Sequence, residues 1–296
     1  MPNTTLRPSP YGYVPTLYVC ILYVVLFSLS TLAHSVQAAR ARLWWLFPTI
    51  VAGGLAEVIG WAGRLWSSKS VDNLNPFLMQ ITTTIMAPSF MTAANFLILG
   101  IIISRLGTQY SRLSPRLYSI VFITADVVAL VVQAVGGGMA SVAVQKRPPG
   151  DPEKGARIMV GGIVWQLAAM TVYVALALEF FLRVRLDKPQ HGFGFAQGSK
   201  LSLQITALFL STLLIYMRSI YRTVELLDGW TGRIITTEVY FNVLDAMPIT
   251  LAMFTMNLLH PAWLLYGKGT GTHPKAGFEM METDREARVE HDGEGQ

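Results

Sequence analysis

Charge is scarce in this sequence. Of its 296 residues only 14% are Asp, Glu, Lys or Arg, whereas soluble domains carry about a quarter. Hydrophobic residues make up 52%, and the mean hydropathy is +0.43. So little charge argues against a water-soluble globular domain and for a polytopic membrane protein. Cysteine is almost absent. The single Cys20 lies in an apolar run, which excludes an internal disulfide and leaves helix packing as the source of stability. The net charge of +5 comes from basic residues scattered over loops, so no nucleic-acid patch is present.

Long apolar runs are what the chain has in abundance. Seven can be marked, at approximately Tyr13–Val36, Trp44–Gly63, Phe77–Ser104, Leu117–Met139, Ile158–Leu182, Leu201–Met217 and Val239–Leu259. Each is near the roughly 20 residues that span a hydrocarbon core. They are read as helices because an open sheet cannot satisfy its backbone in lipid. The expected architecture is all-α, a seven-transmembrane helix bundle over residues 13–264. An extracellular N-terminus (1–12) precedes it and a disordered cytoplasmic tail (265–296) follows. The tail is Gly-rich and net acidic. No internal repeat is visible. Val36-Gln37-Ala38 has the form of a signal-peptidase site, but the first run is longer than the ~7–15 residues of a signal core and Arg7 is a thin basic leader. It is read as a retained span.

Loop charge encodes orientation weakly. With the N-terminus outside, the inner loops hold Arg40 and Arg42, then Arg105, Arg112 and Arg116, then Arg183, Arg185, Lys188 and Lys200. The opposite side holds Lys69, then Lys146, Arg147, Lys154 and Arg157, then Arg218, Arg222 and Arg233. The two sides are nearly balanced. Asn3-Thr4-Thr5 is a glycosylation sequon, and it tips the reading toward an outside N-terminus.

The ionisable residues are distributed unevenly along the spans. In the second run Gly53, Glu57, Gly60 and Arg64 share one helical face. The fourth carries Asp126 near its middle, then Gln133 and Gly136-Gly137-Gly138; the fifth opens with Gly161-Gly162 and Gln166. The third starts near Gln80. The sixth runs into Arg218, Arg222 and Glu225, again one face. The seventh opens with Glu238 and carries Asp245 seven residues later, on the same face of a regular helix. In a seven-helix chain all of these lie at mid-depth or on the N-terminal side. The other half is nearly charge-free, with His34 the main exception. Ionisable groups within spans usually face a bundle interior or a wet cavity. The expectation is therefore a polar, partly hydrated recess open to the N-terminal leaflet. The glycine clusters read as close helix contacts, as does a small-residue ridge of Ala52, Ala56 and Gly60. Pro88 and Pro248 read as kinks.

Enzyme chemistry is thinly supported. Seven-helix hydrolases of the ceramidase and adiponectin-receptor kind hold zinc with several histidines. Here His191, His273 and His291 lie in loop or tail, and His34 and His260 alone make no zinc site. The seventh run has no Lys for a retinal Schiff base, and no Gly-x-Ser-x-Gly elbow or P-loop occurs. No catalytic residue, cofactor or metal is expected.

The motifs then form an ordered set. They are Tyr11-Gly12-Tyr13-Val14-Pro15, Glu57-Val58-Ile59-Gly60-Trp61-Ala62-Gly63-Arg64, Gln80 with Met86-Ala87-Pro88-Ser89-Phe90, and Asp126 with Gln133-Ala134-Val135-Gly136-Gly137-Gly138. Gly161-Gly162 with Gln166 follows, then Arg218-Ser219-Ile220-Tyr221-Arg222 with Glu225, Glu238 and Asp245, and His260-Pro261. From Tyr11 to Pro261 the chain resembles the fungal lipid-translocating exporters, the seven-helix group of the 7-aminocholesterol-resistance and sphingoid long-chain-base exporters. It departs at Asn95, where an aromatic residue is usual, and at Ala262, where Gly is usual.

The resemblance implies an integral membrane protein, of the plasma membrane or alternatively an endomembrane, that exports or translocates amphiphilic lipids or toxic compounds, with membrane lipids or amphiphilic small molecules as its partners. Under that expectation Glu57, Asp126, Glu238 and Asp245 receive a cationic headgroup. Arg64, Arg218 and Arg222 hold those carboxylates or exchange partners during a switch. Gln133, Gln166 and Glu225 complete the candidate path, and proton coupling through Asp126 or Asp245 belongs to the same expectation. The alternative is a seven-helix lipid sensor that affects lipid asymmetry indirectly.

Overall fold

Backbone amides and carbonyls find no water in hydrocarbon, so a chain of this composition closes its hydrogen bonds within helices. The computed structural model describes residues 11–71, 73–145, 150–187, 199–229 and 232–266. Asn3 and all but the first two residues of the expected tail lie outside them.

Among the described residues, seven segments are long and apolar enough to cross a membrane: α1 (Leu17–Ala41), α2 (Trp44–Ser67), α3 (Leu74–Leu106), α4 (Pro115–Ala143), α5 (Glu153–Asp187), α6 (Lys200–Leu227) and α7 (Glu238–Leu264). All seven expected runs are there, but most helices extend past the apolar stretch. The largest difference is α6, which continues from Met217 to Leu227 through Arg218, Arg222 and Glu225. Hydropathy ends a span at the first charges. The helix continues because those charges are neutralised inside the bundle.

The central helix is α3. It packs against α2, α4 and α6, while α1 and α6 flank α7, and α4 pairs with α5. The outer surface is apolar, for example Leu22, Leu29 and Leu32 on α1 and Val127, Val131 and Val135 on α4. In lipid that surface is the solvated one.

Glycines set the closest approaches. A Cβ at Gly136 would lie 2.7 Å from the Gly155 carbonyl oxygen and 2.9 Å from the Met159 Cα, so α4 and α5 touch backbone to backbone there. Gly162 meets the Ala129 carbonyl oxygen in the same way, at 3.0 Å. Two expectations need correction. Gly137, Gly138 and Gly161 are not close contacts, since a Cβ at Gly138 or Gly161 would meet nothing within 4 Å. The packing ridge of α2 is Gly53, Gly60 and Gly63 against α3, with Gly60 the only member of the expected set. Ala52 and Ala56 lie to the side of that face and are half-buried.

Two spans carry a π-helical turn, at Phe47–Val51 in α2 and Asn242–Ala246 in α7. The second has a local cause. Pro248 lacks an N–H, and its ring crowds the carbonyl four residues back, at Leu244. The wider turn adds a residue and rotates everything before it relative to everything after. Glu238 and Asp245 therefore serve two different groups.

Candidate functional site

The extension of α6 places two guanidinium groups inside the bundle, and the π turn of α7 turns Asp245 toward them. Arg222 Nε donates to Asp245 Oδ1 at 2.7 Å, and its Nη2 donates to Oδ2 at 3.0 Å. Its Nη1 donates to Glu225 Oε2 at 2.8 Å, and Nη2 also reaches Thr84 Oγ1 on α3 at 3.2 Å. Arg218 pairs with the same Asp245 Oδ1 at 2.9 Å and donates to the Thr84 carbonyl. Tyr221 donates its hydroxyl to Glu225 Oε1 at 2.9 Å. All four charged residues are buried. Two cations thus face two anions with forked geometry, the arrangement that holds ion pairs out of water.

A second group sits nearer the N-terminal surface. Glu238 Oε1 accepts from the Thr16 N–H at 2.9 Å, and Oε2 accepts from the Thr16 hydroxyl at 2.6 Å, so the carboxylate satisfies the start of α1. Arg64 pairs with Glu238 at 3.4 Å and donates to the Tyr13 hydroxyl at 2.7 Å. Its guanidinium lies over the rings of Tyr11, Tyr13, Trp61 and Phe241, the nearest centroid being Phe241 at 4.4 Å. Arg222 lies over the same Phe241 ring at 4.9 Å. One aromatic ring therefore contributes a cation–π contact to each ionic group.

The third group is uncharged apart from one carboxyl. Gln133 Nε2 on α4 donates to Gln166 Oε1 on α5 at 2.9 Å, and Gln166 Nε2 donates to Ser89 Oγ on α3 at 2.7 Å. One turn further along α3, Thr92 bonds Asp126 Oδ2 at 2.5 Å. Asp126 is only 5% exposed, and no cation is within ion-pair distance among the described residues. Glu57 is the other carboxyl with capacity to spare. It is 1% exposed, it feels the charges of Arg218, Arg222 and Asp245, and its Oε1 has no hydrogen-bond partner.

Position by position, the expected residues fall into three groups among the described residues. Arg218, Arg222, Glu225 and Asp245 form one closed network, with Glu57 beside it. Arg64 and Glu238 form a second, and Asp126, Gln133 and Gln166 lie along the α3–α4–α5 seam. Among the described residues most of these charges pair with one another inside the packed bundle. The division of labour changes accordingly. Glu225, Glu238 and Asp245 are already engaged, and Glu57 and Asp126 keep acceptor capacity.

Several partners had no signal in the sequence. Thr16, Thr84 and Thr92 supply hydroxyls or carbonyls that only the fold brings near a charge. The opposite half of the bundle is also more polar than expected. His34 Nε2 lies 3.2 Å from the Met253 carbonyl oxygen, its ring centroid is 5.8 Å from that of His260, and Asn257 Nδ2 donates to Ser30 Oγ. Asn95, the departure from the family pattern, donates to Ser211 Oγ at 3.2 Å and so ties α3 to α6. Among the described residues no group of three or more His, Cys, Asp or Glu could hold a metal ion.

Seven spans with buried ion pairs in one half define an integral, multi-pass membrane protein. The chain belongs to the RTA1-like protein family, whose model matches residues 50–268. It is 30% identical over 302 residues to the sphingoid long-chain base transporter RSB1 of Saccharomyces cerevisiae, covering 92% of this chain and 78% of the relative. It is 26% identical to protein RTA1 of the same yeast, covering 85% of this chain and 84% of the relative. It is 25% identical to that organism's protoporphyrin uptake protein 1, covering 84% and 90%. No solved structure matches.

Proposed function

We propose that this chain is a membrane transporter, not an enzyme, that moves amphiphilic lipids or toxic compounds of similar shape between leaflets or out of the cell. The observation that carries the reading is Asp126, a buried mid-span carboxyl bonded by one hydroxyl and without a counter-cation among the described residues. A cationic headgroup crossing the bundle needs such a partner, because an unpaired charge in hydrocarbon is strongly unfavourable. The relatives' names, a long-chain base transporter and a porphyrin uptake protein, support an amphiphilic cargo and favour transport over sensing.

The proposed orientation puts the N-terminus outside, in the plasma membrane. Burial of Arg218 and Arg222 removes them from the outer loops, which leaves six basic residues there against nine on the proposed inner side. That restores the positive-inside bias missing from the raw count.

Efflux of a fluorescent sphingoid base from cells tests the reading. Asp126→Asn keeps the shape and the hydroxyl contact but removes the charge. It should slow initial efflux by about tenfold, the effect of losing ~1.4 kcal/mol of interaction, at unchanged protein level. Wild-type efflux from Asp126→Asn cells would remove this residue from the mechanism.

A further inference from the structure

A cavity of about 430 Å³ lies between α3, α4 and α5 on the N-terminal side, apart from the ionic groups. Its volume falls within the ~300–1,000 Å³ of small-molecule sites. Leu78, Ile81 and Ile85 line it from one face of α3, Gly137 and Gly138 from α4, and Met159 from α5. The lining on α3 runs from Leu74 to Met86, about 18 Å at 1.5 Å per residue, the length of an extended alkyl chain.

Two further features give the cavity a chemistry. Gly136 is there to let helices touch, but its neighbours are not. A Cβ at Gly137 would meet only the Met159 sulfur, at 3.6 Å, and one at Gly138 would meet nothing. These two glycines leave volume open. At the inner end lies Gln133, 3% exposed, whose Nε2 is spent on Gln166 and whose Oε1 has no partner. A buried acceptor without a donor is unfavourable, and a ligand that brings an N–H or O–H relieves it. A carboxylate or phosphate headgroup brings only further acceptors.

We propose that this cleft is a binding site for a single-chain amphiphile whose headgroup donates hydrogen bonds, a long-chain amino alcohol, with its chain along α3 and its donor at Gln133 Oε1. The assignment rests on the transport reading for its biological role and on the cleft alone for its location.

The test uses the full chain, purified into phosphatidylcholine nanodiscs and photolabelled with a long-chain amino alcohol carrying a mid-chain diazirine. Label should map to α3 between Leu74 and Met86 and to α4 between Gln133 and Ser141. Excess unlabelled amino alcohol should displace it, and a fatty acid of equal length should not. Gly138→Leu fills the cleft and should cut labelling by about tenfold, a loss of ~1.4 kcal/mol of binding. Gly161→Leu, on the exposed side of α5 with equal room for a side chain, should leave labelling unchanged. The wild-type map stands independently of how either variant folds. Label spread over the outer surface, equal displacement by fatty acid, or full labelling of folded Gly138→Leu would overturn the site. The last of these would mean that bilayer phospholipid or an outer groove holds the probe. Efflux without labelling in the cleft overturns the site and leaves transport standing. Labelling as stated, without lipid movement in vesicles, supports the site and removes transport.

Discussion

Arg222→Ala should yield little folded protein. Arg222 alone joins Asp245, Glu225 and Thr84, so its removal strands Glu225 with a tyrosine hydroxyl and leaves Asp245 to Arg218. Breaking a buried ion pair from one side destabilises by about 3–5 kcal/mol, a large part of the ~5–15 kcal/mol that holds a domain folded. The check is the monodisperse fraction surviving a temperature series in detergent. Arg222→Lys should not restore it, because an ammonium cannot span both Asp245 oxygens and Glu225. Arg222→Gln combined with Glu225→Gln should recover part of the loss, since it removes the stranded charge and leaves Asp245 paired with Arg218. Wild-type thermal stability in Arg222→Ala would show that the network contributes little to the fold.

Gly136→Val should be the second most damaging change, for a reason unrelated to charge. Its side chain would have to displace the backbone of Met159 and Gly155, and backbone cannot rotate away as a side chain does. Overpacking a well-packed interior costs about 1–3 kcal/mol where side chains can adjust, so the loss here should reach the top of that range. Gly138→Ala, two residues along the same glycine run but facing open space, should fall within about 0.5 kcal/mol of the wild type. Equal melting temperatures for the two variants would mean that α4 and α5 are not held by backbone contact.

These two residues also mark what could be read from the chain before its fold was known. Spans were legible because lipid imposes one rule on the whole backbone, and hydropathy reports it directly. The placement of ionisable residues on one side followed from span parity, and the shared face of Arg218, Arg222 and Glu225 followed from the 3.6-residue period. The limits have physical causes. Glu238 and Asp245 belong to separate groups because a π turn intervenes, and helical spacing carries no trace of it. Gly136, Gly137 and Gly138 look identical in sequence, but only the position of α5 decides which one is a contact and which two leave a cleft. Thr84 and Thr92 contribute through tertiary placement alone. The pairing among the described residues has an energetic reason: cations and anions brought to the same depth neutralise one another.

On the proposed reading the closed networks are a frame, and cargo is received by the groups left over. Asp126 on the α3–α4–α5 seam and Gln133 at the end of the apolar cleft lie about two turns apart on α4. Arg64, boxed by four rings, and Arg222, forked onto two carboxylates, lie on the other side of α3. A substrate following the seam would meet acceptors without disturbing the ion pairs that keep the helices together.

Movement of a fluorescent long-chain amino alcohol between the leaflets of vesicles containing only the purified chain tests this most directly. The account predicts a rate that rises with the number of protein molecules per vesicle and drops to near the lipid background for Asp126→Asn. A rate equal to that of protein-free vesicles, from protein that is folded and inserted, would contradict it.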